Sequence, residues 1–249
     1  MTHHETSPTS PASRTTYRPQ LTLPRQAHTA EGPHDQTGMY VMHHALRRDF
    51  VRFAAAVEGT PVEEHDVWSA LERRWIAMAE ILHHHHSAED AHLWPLLQRH
   101  AEADGDDAGI EVLADMEAEH EVIDPALDHV RDAFAAMGAH PCTDHRNALE
   151  IRLAAAHELL LEHLAHEEGH ALPMLQRTLS VEENAAFEKA IEQAYPLRIV
   201  PFALPWAVDD VPADARARLL ETTPPGYGLL LRIFRIRYER GERRAFRFA

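Results

Sequence analysis

Two stretches of the chain carry imidazole and carboxylate at one repeated spacing. Residues 83–99 read HHHHSAEDAHLWPLLQR, and residues 162–177 read EHLAHEEGHALPMLQR. An offset of 78 residues carries His85 onto His163, Glu89 onto Glu167, His92 onto His170 and Pro95 onto Pro173. In each copy a His precedes a Glu by four positions. On a helix, residues four apart lie on one face about a turn from each other. Each copy therefore presents a ring nitrogen donor and a carboxylate side by side, and two such helices facing each other could close around a metal. Carboxylates suit such a role because each has two oxygens, can bridge a pair of ions, and offsets cationic charge that an apolar interior would not tolerate. Mixed imidazole and carboxylate donors suit iron, with zinc or manganese as alternatives.

Facing helices must supply further donors. His43 and His120 are the well-placed candidates, each followed three residues later by an aliphatic residue, Leu46 and Ile123. His44 competes with His43, and that one-residue choice stays open. His92 and His170 share the approximate face of the repeated pair two turns on, as extra ligands or as hydrogen-bond partners of ligands. His84 and His86 flank His85 by one residue, which places them on the surface unless a bent helix swings His86 inward. Met116 reads as core packing.

The elements that must hold these residues are helical. Apolar residues recur at helical spacing over Thr37–Val57, Pro61–Ala101, Ala108–Met137 and Thr143–Thr178, with short breaker-rich connections. Pro95 and Pro125 should kink or end the helices that contain them. Four long helices with short loops point to an all-α, up-down-up-down four-helix bundle over residues 35–180. Residues 1–34, rich in Ser, Thr and Pro, read as a disordered lead. Residues 181–249 form a C-terminal extension. It opens with an S-x-x-E capping box at Ser180 and Glu183, then a short helix to Ala194. Pro224-Pro225-Gly226 reads as a turn. The extension closes on a basic amphipathic segment with seven arginines (232, 235, 237, 240, 243, 244, 247) against Glu239 and Glu242. The expected fate of its Leu229–Phe234 face is packing on the bundle, with dimerisation, a protein partner or an acidic surface as alternatives.

Composition removes several classes. A formal net charge of −16 argues against a nucleic-acid binder. The single cysteine, Cys142, excludes an intrachain disulfide and a cysteine-based zinc or iron–sulfur site. There is no apolar leader and no run long enough to span a bilayer, so a cytoplasmic protein is expected. Histidine is the outlier, with 21 residues.

The order His43, His85-x-x-x-Glu89, His120, His163-x-x-x-Glu167, with Leu-x-Pro or Leu-Pro after the repeated pairs, resembles the hemerythrin-like (HHE cation-binding) family over about residues 35–180. The resemblance implies a non-haem di-iron centre in which Glu89 and Glu167 bridge and the histidines cap the two irons. It also implies a small gaseous or peroxide ligand, since members bind O2 or act in oxygen, peroxide, nitric oxide or iron sensing. Oxygen-carrying members have a second His one turn before the third-helix ligand and a His-x-x-x-x-Asp on the last helix. Here Met116 and Glu167 stand instead. Four histidines and two glutamates do not saturate two irons, so either an open position remains for redox chemistry or another His (His44, His86, His92 or His170) completes the set. A non-catalytic iron or zinc module and a scaffold for a protein partner are the competing functions.

Overall fold

A computed structural model describes residues 17–223 and 226–249, and the Pro224-Pro225 part of the expected turn and residues 1–16 of the expected lead lie outside them. The described chain is helical, and no strand occurs among the described residues. Helix α1 spans Thr37–Gly59 and α2 spans His65–Ala88. A π-helical turn over Glu89–Leu93 joins α2 to α3, Trp94–Asp104. Helix α4 covers Asp107–Ala139 and α5 covers Thr143–His166, followed by a second π turn, Glu167–Ala171, and α6, Leu172–Thr178. The extension adds α7 (Val181–Ala194), α8 (Val200–Ala207), α9 (Ala213–Thr222) and α10 (Tyr227–Ala245).

The two long helices expected to run to Ala101 and Thr178 are thus each interrupted by a π turn. Proline is the cause. Pro95 and Pro173 have no N–H to donate, and the ring of each would press on the carbonyl four residues back. The π turn relieves this by lengthening the loop: Trp94 N–H bonds to the Glu89 carbonyl and Leu172 N–H to the Glu167 carbonyl, each reaching back five residues. Pro125 behaves differently. It lies on the exposed face of α4, which runs unbroken past it, because water can solvate the carbonyl that loses its donor.

Helices α1, α2, α4 and α5 pack side against side in a ring, α1 on α2, α2 on α4, α4 on α5 and α5 on α1. Their inner faces form two apolar clusters. One holds Leu46, Phe50, Phe53, Trp75, Met78 and Leu160. The other holds Tyr40, Trp94, Leu97, Met116 and Leu172. Going along the chain, α1 and α4 pass from the second cluster to the first, and α2 and α5 with their π turns pass from the first to the second. Each helix crosses between the two clusters at its own histidine.

Residues 17–34 depart from the disordered lead expected of them. Leu23 and Ala30 are buried against the second cluster. Gln20 and Gln26 donate to the carbonyls of His34 and His28, Ala30 N–H donates to the Tyr40 hydroxyl, and Ala27 N–H donates to Glu168 at 2.7 Å. Polar side chains and one distant carboxylate satisfy a backbone that has no periodic pattern. Composition alone does not register such bonds.

The extension carries a second correction. The capping box forms, with Ser180 and Glu183 bonding reciprocally. The Leu229–Phe234 face packs only in part: Leu229 is 64% and Ile233 56% exposed. The arc that docks onto α8 and α2 runs through the partly buried Leu231 and Phe234 to Tyr238 and Ala245. A buried ionic knot explains the choice. Asp49 of α1 is fully buried and accepts from Arg48, from Arg74 of α2 at 2.6 Å and from Trp206 Nε1 of α8 at 2.7 Å. Arg74 also reaches Glu242 of α10, and Arg52 and the Tyr238 hydroxyl both meet Asp209. These partners fix the rotation of α10 and turn its aliphatic face outward.

Burial alone would raise the pKa of Asp49, but Arg74 and Arg48 outweigh it and hold the carboxyl below its ordinary 3.8. A depressed folded value stabilises the protein above the unfolded pKa and loses that contribution as pH falls through the folded one. Asp49→Asn takes the carboxylate from between two buried guanidinium groups, leaving Arg74 with Glu242 and Arg48 with backbone carbonyls alone, and is expected to cost about 3–5 kcal/mol in urea unfolding at neutral pH. The gap to wild type should narrow toward acid. An unchanged unfolding midpoint would contradict this account of the docking.

Candidate metal centre

Between the two apolar clusters lies a polar layer. His43, His85, Glu89, His120, His163 and Glu167 all meet there and are all buried, so the structure brings together the six residues singled out by spacing. It adds His86, which is 1% exposed. The ring nitrogens of His43 and His85 and a Glu167 oxygen lie within 4.8 Å of one another, and the same holds for His86, His120 and His163. Glu89 stands between the two groups. Its Oε1 is 3.3 Å from His85 Nε2 and its Oε2 is 3.8 Å from His120 Nε2. Glu167 Oε2 is 3.1 Å from His43 Nε2.

These contacts are close, but most of the inward atoms lack a directed hydrogen bond. Nε2 of His43, His85 and His86 and both oxygens of Glu89 and of Glu167 are buried without a hydrogen-bond partner. Leaving one such group unsatisfied costs about 1–3 kcal/mol, and more where it is charged. A fold does not gather seven of them in one layer to no purpose. Inward-facing imidazole and carboxylate lone pairs are what a cation would satisfy, and the donor set fits a transition metal.

The outward nitrogens of four of the five histidines meet carboxylates. His43 Nδ1 donates to Glu168 at 2.9 Å, and Glu168 is held in turn by Arg47 at 2.7 Å. His120 Nδ1 donates to Asp90 at 2.7 Å, His163 Nδ1 to Glu119 at 2.8 Å, and His86 Nδ1 to Asp124 at 3.4 Å. A carboxylate on the outer nitrogen fixes ring orientation and tautomer, leaving the inner nitrogen as a lone-pair donor. Glu168 and Asp90 directly follow or neighbour the repeated glutamates. The duplication thus supplies an inward carboxylate and an outward one in each copy. The sequence signal for this outward role is the recurrence of an acidic residue, Asp90 and Glu168, at the same 78-residue offset.

Electrostatics follow the same division. Burial, then the surrounding imidazoles, pushes His85 down to about 3 and His86 well below its ordinary value, so both rings are neutral donors. Burial opposes charge on His43 too, but Glu167 and Glu168 outweigh it and raise His43 to about 9. Burial, Glu167 and Asp90 all raise Glu89 well above the carboxylate range. For Glu167, burial is outweighed by His43, which brings it to about 2. Two carboxylates this close cannot both stay ionised on the strength of the protein's own charges.

The remaining histidines separate cleanly. His44 turns away and donates to the Asp210 carbonyl at 3.2 Å. His92 and His170 are exposed, against the expectation of a shared face. The π turns explain this. An added residue of rotation moves the buried position from 92 to Leu93 and from 170 to Ala171. His86 was expected on the surface because each helix was given one inward direction. Helix α2 lies between α1 and α4, so two neighbouring positions, about 100° apart, both face the interior. His85 turns toward His43, their ring centroids 5.6 Å apart, and His86 stacks on His120 at 3.9 Å.

An antiparallel set of helices holding a buried imidazole–carboxylate layer defines a helical cation-binding protein. The family model described as the Hemerythrin HHE cation binding domain matches residues 36–175, more than half the chain, and the chain belongs to that family. Neither a curated protein nor a solved structure gives a significant match. No helix among the described residues is long and apolar enough to cross a membrane.

The placement of His86 generates a test. His86→Ala is expected to lower the metal retained after dialysis, whereas His84→Ala, two residues away on the outer side, should leave it unchanged. Equal metal content in both variants, measured by elemental analysis, would remove His86 from the site.

Proposed function

We propose that this chain is a non-haem di-iron protein of the hemerythrin type, built as an up-down-up-down four-helix bundle. One ion would be held by His43 and His85 and the other by His86, His120 and His163, with Glu89 and Glu167 bridging. The observation that carries this reading is Glu89, a buried carboxylate whose two oxygens face two separate donor groups. A pair of irons would supply reversible one-electron chemistry and a coordination position for O2, peroxide or nitric oxide. The protein's own groups do the rest. Glu168, Asp90, Glu119 and Asp124 orient the rings, and the apolar clusters above and below keep bulk water from the layer. The His43/His85 group brings one imidazole fewer than the other, so it is the side on which an exogenous ligand has room.

The role in this reading is redox or sensing, in the cytoplasm. Exposed Leu229, Ile233 and Ile236, with the arginines of α10 beside them, support a contact surface for a second copy or a protein partner. A non-catalytic iron or zinc module is the second reading, favoured by one observation: His86, His120 and His163 alone form a three-imidazole group, a donor set that zinc accepts.

Metal analysis of protein made in iron-supplied medium separates the two. Two irons per chain are expected, with a near-ultraviolet absorption that changes when anaerobic ferrous protein meets air. Glu89→Ala and Glu167→Ala should both lose metal and the stabilisation that binding confers on the folded state. One zinc per chain with no response to oxidation would overturn the di-iron reading and leave the second. Metal-dependent melting unchanged in both variants would remove the bridging assignment.

A further inference from the structure

Beside the polar layer, on the outer side of α1, lies a cavity of about 300 Å³. Its lining includes Arg25, Arg47, Arg48 and Arg52 against one carboxylate residue, Asp210. This concentration of guanidinium groups stands out in a chain of net charge −16. Of these four arginines, Arg25 and Arg47 have the fewest partners among the described residues. Arg47 is 3% exposed and spends a single N–H on Glu168. Its remaining donors are not among the buried nitrogens that lack a partner, and the residue lines the cavity. Arg25 makes no ion pair among the described residues. Arg48 spends all three nitrogens, on Asp49 and on the Trp206 and Asp209 carbonyls, and Arg52 pairs with Asp209 and Glu242, so these two wall the cavity with fixed positive charge rather than with free forks.

The backbone singles out the same place. Among the described residues, only two that are not glycine have positive φ, Arg25 at 67° and Asp210 at 57°, and both line this cavity. Backbone in that region is disfavoured for a residue with a Cβ, and more so for a long side chain than for Asp. Such strain persists where surrounding structure enforces it, and it gathers at ligand clamps. The strap that carries Arg25 is enforced by Ala27 N–H on Glu168 and by the Gln26 side chain bonded across the turn to the His28 carbonyl. The His44 ring, bonded to the Asp210 carbonyl, braces the opposite wall.

We propose that this cavity is a binding site for a small polyanion bearing phosphate or carboxylate groups. Guanidinium forks pair with both oxyanions through two parallel N–H donors, and the fixed positive charge beside them favours a multiply charged ligand over a single ion. The volume corresponds to about ten waters of liquid, enough for a ligand the size of pyrophosphate or citrate. Arg47 links this cavity to the polar layer, since the Glu168 that it holds also accepts from His43. The binding proposal itself does not require a metal.

Calorimetric titration of the full chain with pyrophosphate, and separately with citrate, tests it. Arg25→Ala and Val51→Trp are the informative variants. The first removes the unpaired cation, and the second fills the cavity from a partly exposed wall without touching charge or the polar layer. One ligand per chain is expected, with affinity falling as salt rises. Losing the Arg25 contact should weaken binding about tenfold, and Val51→Trp should weaken it at least as much. Binding of pyrophosphate alone would assign the site to phosphate ligands, and of citrate alone to carboxylates. No binding of either probe would overturn the proposal. So would binding that neither variant weakens, which is what chelation of metal in the polar layer would give. Iron content measured before and after titration keeps the failure of this inference distinct from that of the di-iron reading.

Discussion

The structure depends on one constraint: two carboxylates and five imidazoles are buried together between apolar layers. Glu89 and Glu167 are wholly inaccessible, with both oxygens of each lacking a directed donor. An ionised carboxylate in such surroundings is strongly disfavoured unless paired or bound to a cation. Much of the chain answers to this. Helix α1 contributes His43, α2 contributes His85 and His86, α4 contributes His120 and α5 contributes His163, and each of these helices, with α2 and α5 taken together with the π turn and short helix that continue them, has large apolar residues on both sides of its polar position. The apolar clusters supply the driving force for closing the ring of helices, and the closure brings the polar groups together.

The repeated proline sets the phase of the layer. A π turn opens at Glu89 and again at Glu167, each ending just before a Leu or Trp and its proline. The lengthened turn lets the helix pass the proline without a break, and it shifts every later residue by one position. That shift places Leu93 and Ala171 on the interior and leaves His92 and His170 in solvent. The polar layer is therefore one turn thick. Without the shift two more imidazoles would line up with it, and the second apolar cluster would lose two of its buried residues.

The segments outside the helical ring act on the layer from behind. The strap over residues 17–34 donates backbone N–H to Glu168, the carboxylate that orients His43. The extension docks through Asp49, Arg74 and Trp206, which lie in and against the first apolar cluster and well away from the ligating atoms. One contact holds the carboxylate behind His43, and the other ties together the helices that carry the polar layer. The arginines that remain on the outer face of α1 are the boundary between these two regions.

The sequence by itself determined the helical class, the four long segments and five of the seven residues of the polar layer, and narrowed a sixth to His43 or His44. It could do so because a fourfold spacing of His and Glu, repeated at a constant offset, has few meanings on a helix. It also contained the capping box at Ser180, a purely local device. Only tertiary structure decided the rest. The choice of His43 over His44, and the inward turn of His86, depend on which neighbour each helix face meets. The exposure of His92 and His170 depends on a π turn, which spacing arguments at 3.6 residues per turn do not contain. The order of residues 17–34 comes from bonds to groups as distant as Glu168 and Gln176. The outward aliphatic face of α10 follows from ion pairs that override its apolar arc. For all but the π turns the deciding partner lies far away along the chain; there the cause is a proline three residues after the exposed histidine, acting through a backbone state that helical spacing does not contain.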